Sequence, residues 1–257
     1  MGTLFVVATP IGNLGDISNR ALEILRQVDL IACEDTRHTI KILNHFNIQK
    51  PLTAYHDFNE TEKAEELAQR LAGKANVALV SDAGTPTISD PGYRLVRLCR
   101  ERGIQVIAIP GPNAAIAALS VSGLPSDEFM LIGFLPSKQN ARRDKLRSLV
   151  NLRCTMVFYE APHRIREVLD DMQELFGDRE VCIAREITKI HEEYLFGKLS
   201  AVKTQVNALG EFVVVVSGAT EQVRERPLTR DEALKKLGMT RNELYDLFFK
   251  KQEKSST

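Results

Sequence analysis

Short apolar runs bounded by turn residues recur along the first half of the chain: "TLFVVAT" at 3–9, "VDLIACE" at 28–34, "NVALVSD" at 76–82 and "IQVIAIPG" at 104–111. Five or six nearly unbroken apolar positions describe a strand buried on both faces. Helical spacing fills the intervals. Ser18 predicts an N-cap for a helix that places Ala21, Leu22, Leu25 and Val28 on one face. Residues 60–72 and 93–102 read as two further helices, the second stopped by Gly103. This alternation predicts an α/β fold with a mostly parallel sheet covered on both faces.

The rhythm changes near residue 122. "SGLPSD" at 122–127 reads as a connection, and strands are predicted beyond it at 129–135, 155–160, 180–186 and 211–217. Between the second and third of these, Ile165, Val168, Leu169, Met172 and Leu175 recur at helical spacing. Two α/β domains are expected, 1–122 and 123–222, followed by a tail at 223–257. The tail reads as two short helices around Gly238, capped by Thr229 and Thr240, with a disordered end. Its helix-turn-helix spacing fits a packing unit better than a DNA reader, and no DNA partner is expected.

Composition narrows the class. The 257 residues are 44% hydrophobic and 26% charged, with 34 basic and 34 acidic side chains. A neutral chain does not coat nucleic acid by bulk charge, so any such contact needs a local patch. Cys33, Cys99, Cys154 and Cys182 are scattered without a C-x-x-C pair, which fits reduced structural thiols. The run Leu4–Ala8 is too short for a signal peptide, and no run of eighteen apolar residues occurs. A soluble cytoplasmic protein without membrane contact is expected.

Four loops at predicted strand ends stand out, because ligands of open α/β sheets bind beyond the carboxyl ends of the strands. "TPIGNLGDIS" at 9–18 matches neither a dinucleotide fingerprint nor a phosphate-binding Walker loop, and also fits a tight strand-to-helix turn. "CEDTRH" at 33–38 fits a solvated cap cluster as readily as a site. "SDAGTPTISDPG" at 81–92 is stiffened by Pro86 and Pro91, and Gly84 and Gly92 permit positive φ. It has no lysine for a phosphate, so it suits an uncharged or cationic small molecule. "IPGPNAAIAALSVSG" at 109–123 opens a helix at Asn113 whose alanines allow close approach of a ligand or of another helix.

Taken in order, "SDAGTPTISDPG", "PGPNAAIAALSVSGLP", "GFLP" and "FYEAPHR" resemble the tetrapyrrole-methylase-like superfamily of S-adenosylmethionine (SAM) methyltransferases. Within it they are similar to the branch that methylates the 2′-hydroxyl of a cytidine in the decoding region of 16S ribosomal RNA. The resemblance covers residues 3 to about 220. It implies SAM in a cleft between two α/β domains, and a homodimer. It further implies cofactor contacts from Pro10, Gly12, Asp82, Ala83, Gly84, Thr85, Pro86, Ile88, Asn113, Ala114, Phe158, Tyr159, Gly210 and Glu211. One departure matters: tetrapyrrole-modifying relatives open with G-x-G-P-G-D where this chain has "TPIGNLGD". That favours RNA as the substrate.

Transfer to a ribose hydroxyl needs positioning and gains from a general base. Lys189, if desolvated, Glu160 and Asp16 are the candidates, each with an ion-pair or surface role as the alternative. His56 and His163 lack metal-ligand spacing, and no metal is expected. For RNA, "SKQNARRDKLR" at 137–147 offers Lys138, Arg142, Arg143, Lys145 and Arg147, with Arg164 nearby. The expected partner is small-subunit rRNA or the assembled small subunit. Two alternatives stay open: a precorrin-type C-methyltransferase, and a SAM- or RNA-binding protein without catalysis.

Overall fold

The computed structural model describes residues 1–220, Gly238 and Thr240. The helices expected in the tail and its disordered end lie outside the described residues. Residues 1–219 form one compact unit carrying two five-stranded sheets.

The first sheet holds β1 (Thr3–Val7), β2 (Leu30–Cys33), β3 (Leu52–Ala54), β4 (Val77–Val80) and β5 (Gln105–Ile109) in the order β3-β2-β4-β1-β5. Every pairing in it is parallel. Side chains of successive residues leave a strand on opposite faces, and both faces of these strands are apolar. Leu30, Ala32, Val77 and Leu79 pack under α3 (Glu60–Ala72) and α4 (Tyr93–Glu101). Ile31, Cys33, Ala78 and Val80 pack under α1 (Asn19–Gln27) and α2 (Thr36–His45). Ser18 caps α1 as its sequence predicts, its hydroxyl accepting from the Ala21 N–H at 3.1 Å.

The second sheet runs β6-β7-β10-β8-β9, with β6 (Phe129–Phe134), β7 (Thr155–Glu160), β8 (Glu180–Arg185), β9 (Glu193–Lys198) and β10 (Phe212–Val216). Only β6 and β7 pair in parallel; the other pairings are antiparallel. One face packs against α6 (Gln139–Leu149), α7 (Ile165–Phe176) and the short α8 (Leu199–Val202) through Met156, Phe158, Ile183 and Val214. The other face packs against α5 (Ala114–Val121) through Val157, Cys182, Ala184 and Val213. Ala115, Ala118 and Leu119 carry the α5 contact, so this helix joins the second sheet although it precedes the 122–127 connection.

The basic segment 137–147 differs from its sequence reading. Arg142 does not face solvent: its side chain is 1% exposed, and Nε donates to Asp171 Oδ2 of α7 at 2.7 Å. Arg143 pairs with Asp171 and Glu174, and Arg147 with Asp144. The reason is local. Asp171 lies within the apolar ridge of α7 and is itself buried, and a buried carboxylate requires a cation.

Candidate active site

A parallel sheet delivers all its carboxyl ends to one edge, and the unusual loops meet there. The 81–92 loop is fastened to the end of β1. Thr9 N–H donates to Gly84 O at 2.8 Å, and Gly84 N–H returns a bond to Thr9 O at 3.0 Å. Thr9 Oγ1 donates to Ser81 O at 3.0 Å and Thr85 Oγ1 to Pro112 O at 3.2 Å. Gly84 has φ +88°, a conformation glycine adopts without penalty. Thr87 and Ser89 are also left-handed, with φ of 74° and 64°. Such positions cost about 1–3 kcal/mol each for a side-chain-bearing residue and persist only where the surroundings fix them. At its far end the loop hangs on Glu60, whose carboxylate accepts from Gly92 N–H at 3.0 Å and from Tyr55 Oη at 3.1 Å.

These loops and the facing ends of β7, β8 and β10 enclose a cleft of about 470 Å³, within the range of small-ligand sites. Asp82, Ala83, Gly84, Thr85, Ile88, Asn113, Ala114, Tyr159 and Glu211 line it, together with Lys189 and Glu160. Pro10, Gly12, Pro86, Phe158, Gly210 and Asp16 do not. Phe158 lies on the opposite face of β7 from Tyr159, fully buried beneath α6 and α7. Gly12 and Gly210 serve as floors for other side chains: a methyl group on Gly210 would stand 2.4 Å from Glu186 Cγ. Asp16 accepts a 2.5 Å bond from the Thr188 hydroxyl.

The three expected bases are all engaged. Lys189 Nζ donates to Glu186 Oε1 and Glu211 Oε2, each at 2.8 Å. Partial burial pulls its pKa down, but the two carboxylate bonds outweigh burial and hold it above the ordinary lysine range. Lys189 is therefore a cation at neutral pH, contrary to the neutral amine that a base requires. Glu160, buried, takes both Nε and Nη2 of Arg164 at 2.8 Å and the Ala161 N–H at 2.8 Å. That pairing also removes Arg164 from the free cations available to RNA. Tyr159 remains a phenol, its pKa raised chiefly by burial.

Sequence reasoning missed other lining residues, notably Ile11, Glu34, Ser89, Asp90, Phe134, Ile187 and Val213. Of the adjacent acids in "CEDTRH", Asp35 caps α2: it accepts from Arg37 N–H at 2.8 Å and pairs with the Arg37 guanidinium. The Arg37 side chain, then its backbone N–H, holds the Asp35 carboxyl at about 2. Glu34 instead lines the cleft. Burial, then the charges of Asp82, Asp90, Asp57 and Asp35, push its carboxyl above the usual range. Asp90 is raised chiefly by burial as well.

Residues 3–203 match the family described as Tetrapyrrole (Corrin/Porphyrin) Methylases. A ribosomal RNA small subunit methyltransferase I from Xylella fastidiosa (strain Temecula1) is 54% identical over 227 residues, covering 86% of this chain and 83% of that protein. The protein of the same name from Vibrio cholerae is 49% identical over 247 residues, covering 94% and 85%. Among solved structures, uroporphyrin-III C-methyl transferase from Thermus thermophilus, complexed with S-adenyl homocysteine, aligns with a TM-score of 0.57 at 17% identity, over 84% of this chain and 97% of that one. The match from residue 3 to 203 spans the whole first sheet, four strands of the second and most of the cleft lining, and the two relatives share about half of their residues with it, so the chain is an enzyme of the tetrapyrrole methylase family, in the branch of the ribosomal RNA small subunit methyltransferases I.

Proposed function

We propose that this enzyme transfers the methyl group of SAM to the 2′-hydroxyl of a cytidine in the decoding region of 16S rRNA, acting in the cytoplasm on the small ribosomal subunit. The observation that carries the cofactor half of this reading is the charge of the cleft. Five carboxylates line it against the single cation Lys189 among the described lining residues. Glu160 is neutralised by Arg164 and Glu211 by Lys189, which leaves Glu34, Asp82 and Asp90. An acidic cleft repels phosphate and suits a ligand bearing a sulfonium charge. The apolar walls at Ile11, Ile88, Ala114 and Val213 suit a nucleoside base.

The cofactor supplies an electrophilic methyl group; the chain supplies position and charge. The rigid segment from Asp82 to Thr85, with Ile88, Asn113, Ala114, Tyr159 and Glu211, would hold it. Pro10, Gly12, Pro86, Phe158 and Gly210 shape the walls from behind. Lys189, held protonated, is placed to stabilise negative charge developing on the acceptor oxygen. The acceptor class rests on the relatives' names and on the first loop, "TPIGNLGD". For RNA contact, Lys138 and Lys145 stay exposed and have no ion pair among the described residues. A homodimer is supported by apolar side chains left exposed on α5, Ile116 and Val121, and on the edge strand β6, Phe129 and Met130.

Methyl transfer from labelled SAM to small subunits lacking their native modification tests the proposal, with free rRNA and a precorrin mixture alongside. Label at a cytidine 2′-oxygen is expected; label in the tetrapyrrole, or none, would overturn it. Sedimentation of the purified protein should give twice the 28.8 kDa chain mass, and a monomer would remove the dimer.

A further inference from the structure

The reaction needs somewhere to place the proton of the acceptor hydroxyl, and the groups first expected to take it are engaged. Lys189 is charged, Glu160 is held by Arg164, and Asp16 is off the cleft and bonded to Thr188. The remaining carboxylates of the cleft can be sorted by their bonds. Asp82 Oδ1 accepts the Asp35 N–H at 3.0 Å, and Glu211 holds Lys189. Asp90 is bonded to the Ser81 side chain. Glu34 has no hydrogen bond or ion pair among the described residues. It stands at the carboxyl end of β2, beside the fixed 81–92 loop, and lines the cleft.

We infer that Glu34 is the general base of the transfer. Resting on the methyltransferase reading above, the step is balanced as follows. The Glu34 carboxylate takes the hydroxyl proton as the oxygen lone pair forms the new O–CH₃ bond. The C–S bond breaks with its electron pair passing to sulfur, which leaves as a neutral thioether. The proton on Glu34 then passes to solvent. No other reactant is needed.

The surroundings suit that task. The charged groups facing Glu34 are Asp35 on its own element, Asp82 and Asp90 on the loop after β4, and Asp57 on the loop after β3; all are acidic. No guanidinium or ammonium stabilises its carboxylate, and burial with these like charges makes it more basic than an ordinary glutamate, the direction a general base needs. Glu34→Gln retains shape and removes the base.

The test compares wild type, Glu34→Gln, Glu34→Asp and Glu34→Ala on unmodified small subunits and by calorimetric titration with SAM. Glu34→Gln should still bind SAM, more weakly for the loss of one of the three unpaired carboxylates, yet at saturating SAM turn over about 10²–10⁴-fold more slowly, the usual contribution of a general base. It should also lose the acid limb of the pH–rate profile. Glu34→Asp should retain a measurable part of the rate, and added formate should restore turnover to Glu34→Ala but not to Glu34→Gln. In the absence of substrate, raising the pH should destabilise wild type relative to Glu34→Gln. Turnover of Glu34→Gln within twofold of wild type, or an unchanged acid limb, would overturn the inference while leaving the methyltransferase reading standing. Failure of wild type itself to label the subunits would remove both.

Discussion

Lys189 lies across Gly12: a methyl group on the Gly12 Cα would stand 2.5 Å from Lys189 Cγ and 2.7 Å from its Cε. The lysine crosses from the 186–192 turn of one sheet to the first loop of the other, and its ammonium ends on Glu186 and Glu211. Gly12 has φ +149°, so a side chain there meets both a backbone penalty and the lysine stem. Gly12→Ala should displace Lys189 from its two carboxylates. Methyl transfer should fall at least tenfold while the far-ultraviolet circular dichroism stays that of wild type. A variant with wild-type turnover would show that the crossing is incidental.

Lys189→Met probes the charge itself. Because its two carboxylate bonds hold the lysine pKa above the ordinary range, its charge does not change between pH 5 and 9. Its removal should lower kcat across that whole range without moving the acid limb. A base at this position would instead give a rate that rises with pH and a limb that disappears with the lysine. The two pH profiles separate these roles.

Arg142 is the clearest case of a basic side chain with an internal task. Arg142→Met leaves Asp171 buried with Arg143 as its only cation, and removing one member of a buried pair costs about 3–5 kcal/mol. Urea denaturation should show a loss near the lower figure, since Arg143 remains. The double variant Arg142→Met, Asp171→Leu should recover most of it. By contrast, reversing the exposed Lys138 and Lys145 to Glu should leave the urea midpoint within error and weaken methylation of the subunit, the more so at low salt.

These cases show what the chain's pattern reveals. Both sheets were legible wherever a strand is buried on two faces, because Leu4–Val7 or Val213–Val216 reads as an unbroken apolar run. Leu52–Ala54 is three residues long, and Glu193–Lys198 is an edge strand with three charged or glycine positions among six, so neither gives a periodic signal. The 81–92 loop announced itself through its glycines and prolines, since strained backbone needs special residues. Arg142 did not: its partner Asp171 is 29 positions away, and only the placement of an acid inside the Val168–Met172 ridge hinted at it. Glu34 and Asp35 are adjacent acids at a strand end, and no spacing rule separates the one that caps a helix from the one that faces the cleft.

That difference between Glu34 and Asp35 should be measurable as stability. Burial and four neighbouring carboxylates raise the folded pKa of Glu34 above its ordinary value of 4.5. The folded protein therefore binds this proton more tightly than the unfolded chain. Whatever stability the protonated carboxyl confers is fully present below about pH 4.5 and is lost as pH rises through the folded pKa. Glutamine mimics the protonated acid at every pH. Wild type and Glu34→Gln should thus melt together at pH 4, and the variant should become the more stable protein as the pH rises toward neutrality. Asp90, also raised chiefly by burial, titrates in both proteins, and its repulsion of the Glu34 carboxylate, lost in the variant, acts in the same direction. Asp35→Asn should behave in the opposite sense: its carboxyl is held at about 2, so the variant should lose stability relative to wild type above pH 4 and converge with it as the pH falls through 2. Thermal melts of the three proteins from pH 3 to pH 8 read both signs at once. If Glu34→Gln is no more stable than wild type at pH 8, Glu34 is not an unpaired, desolvated carboxylate.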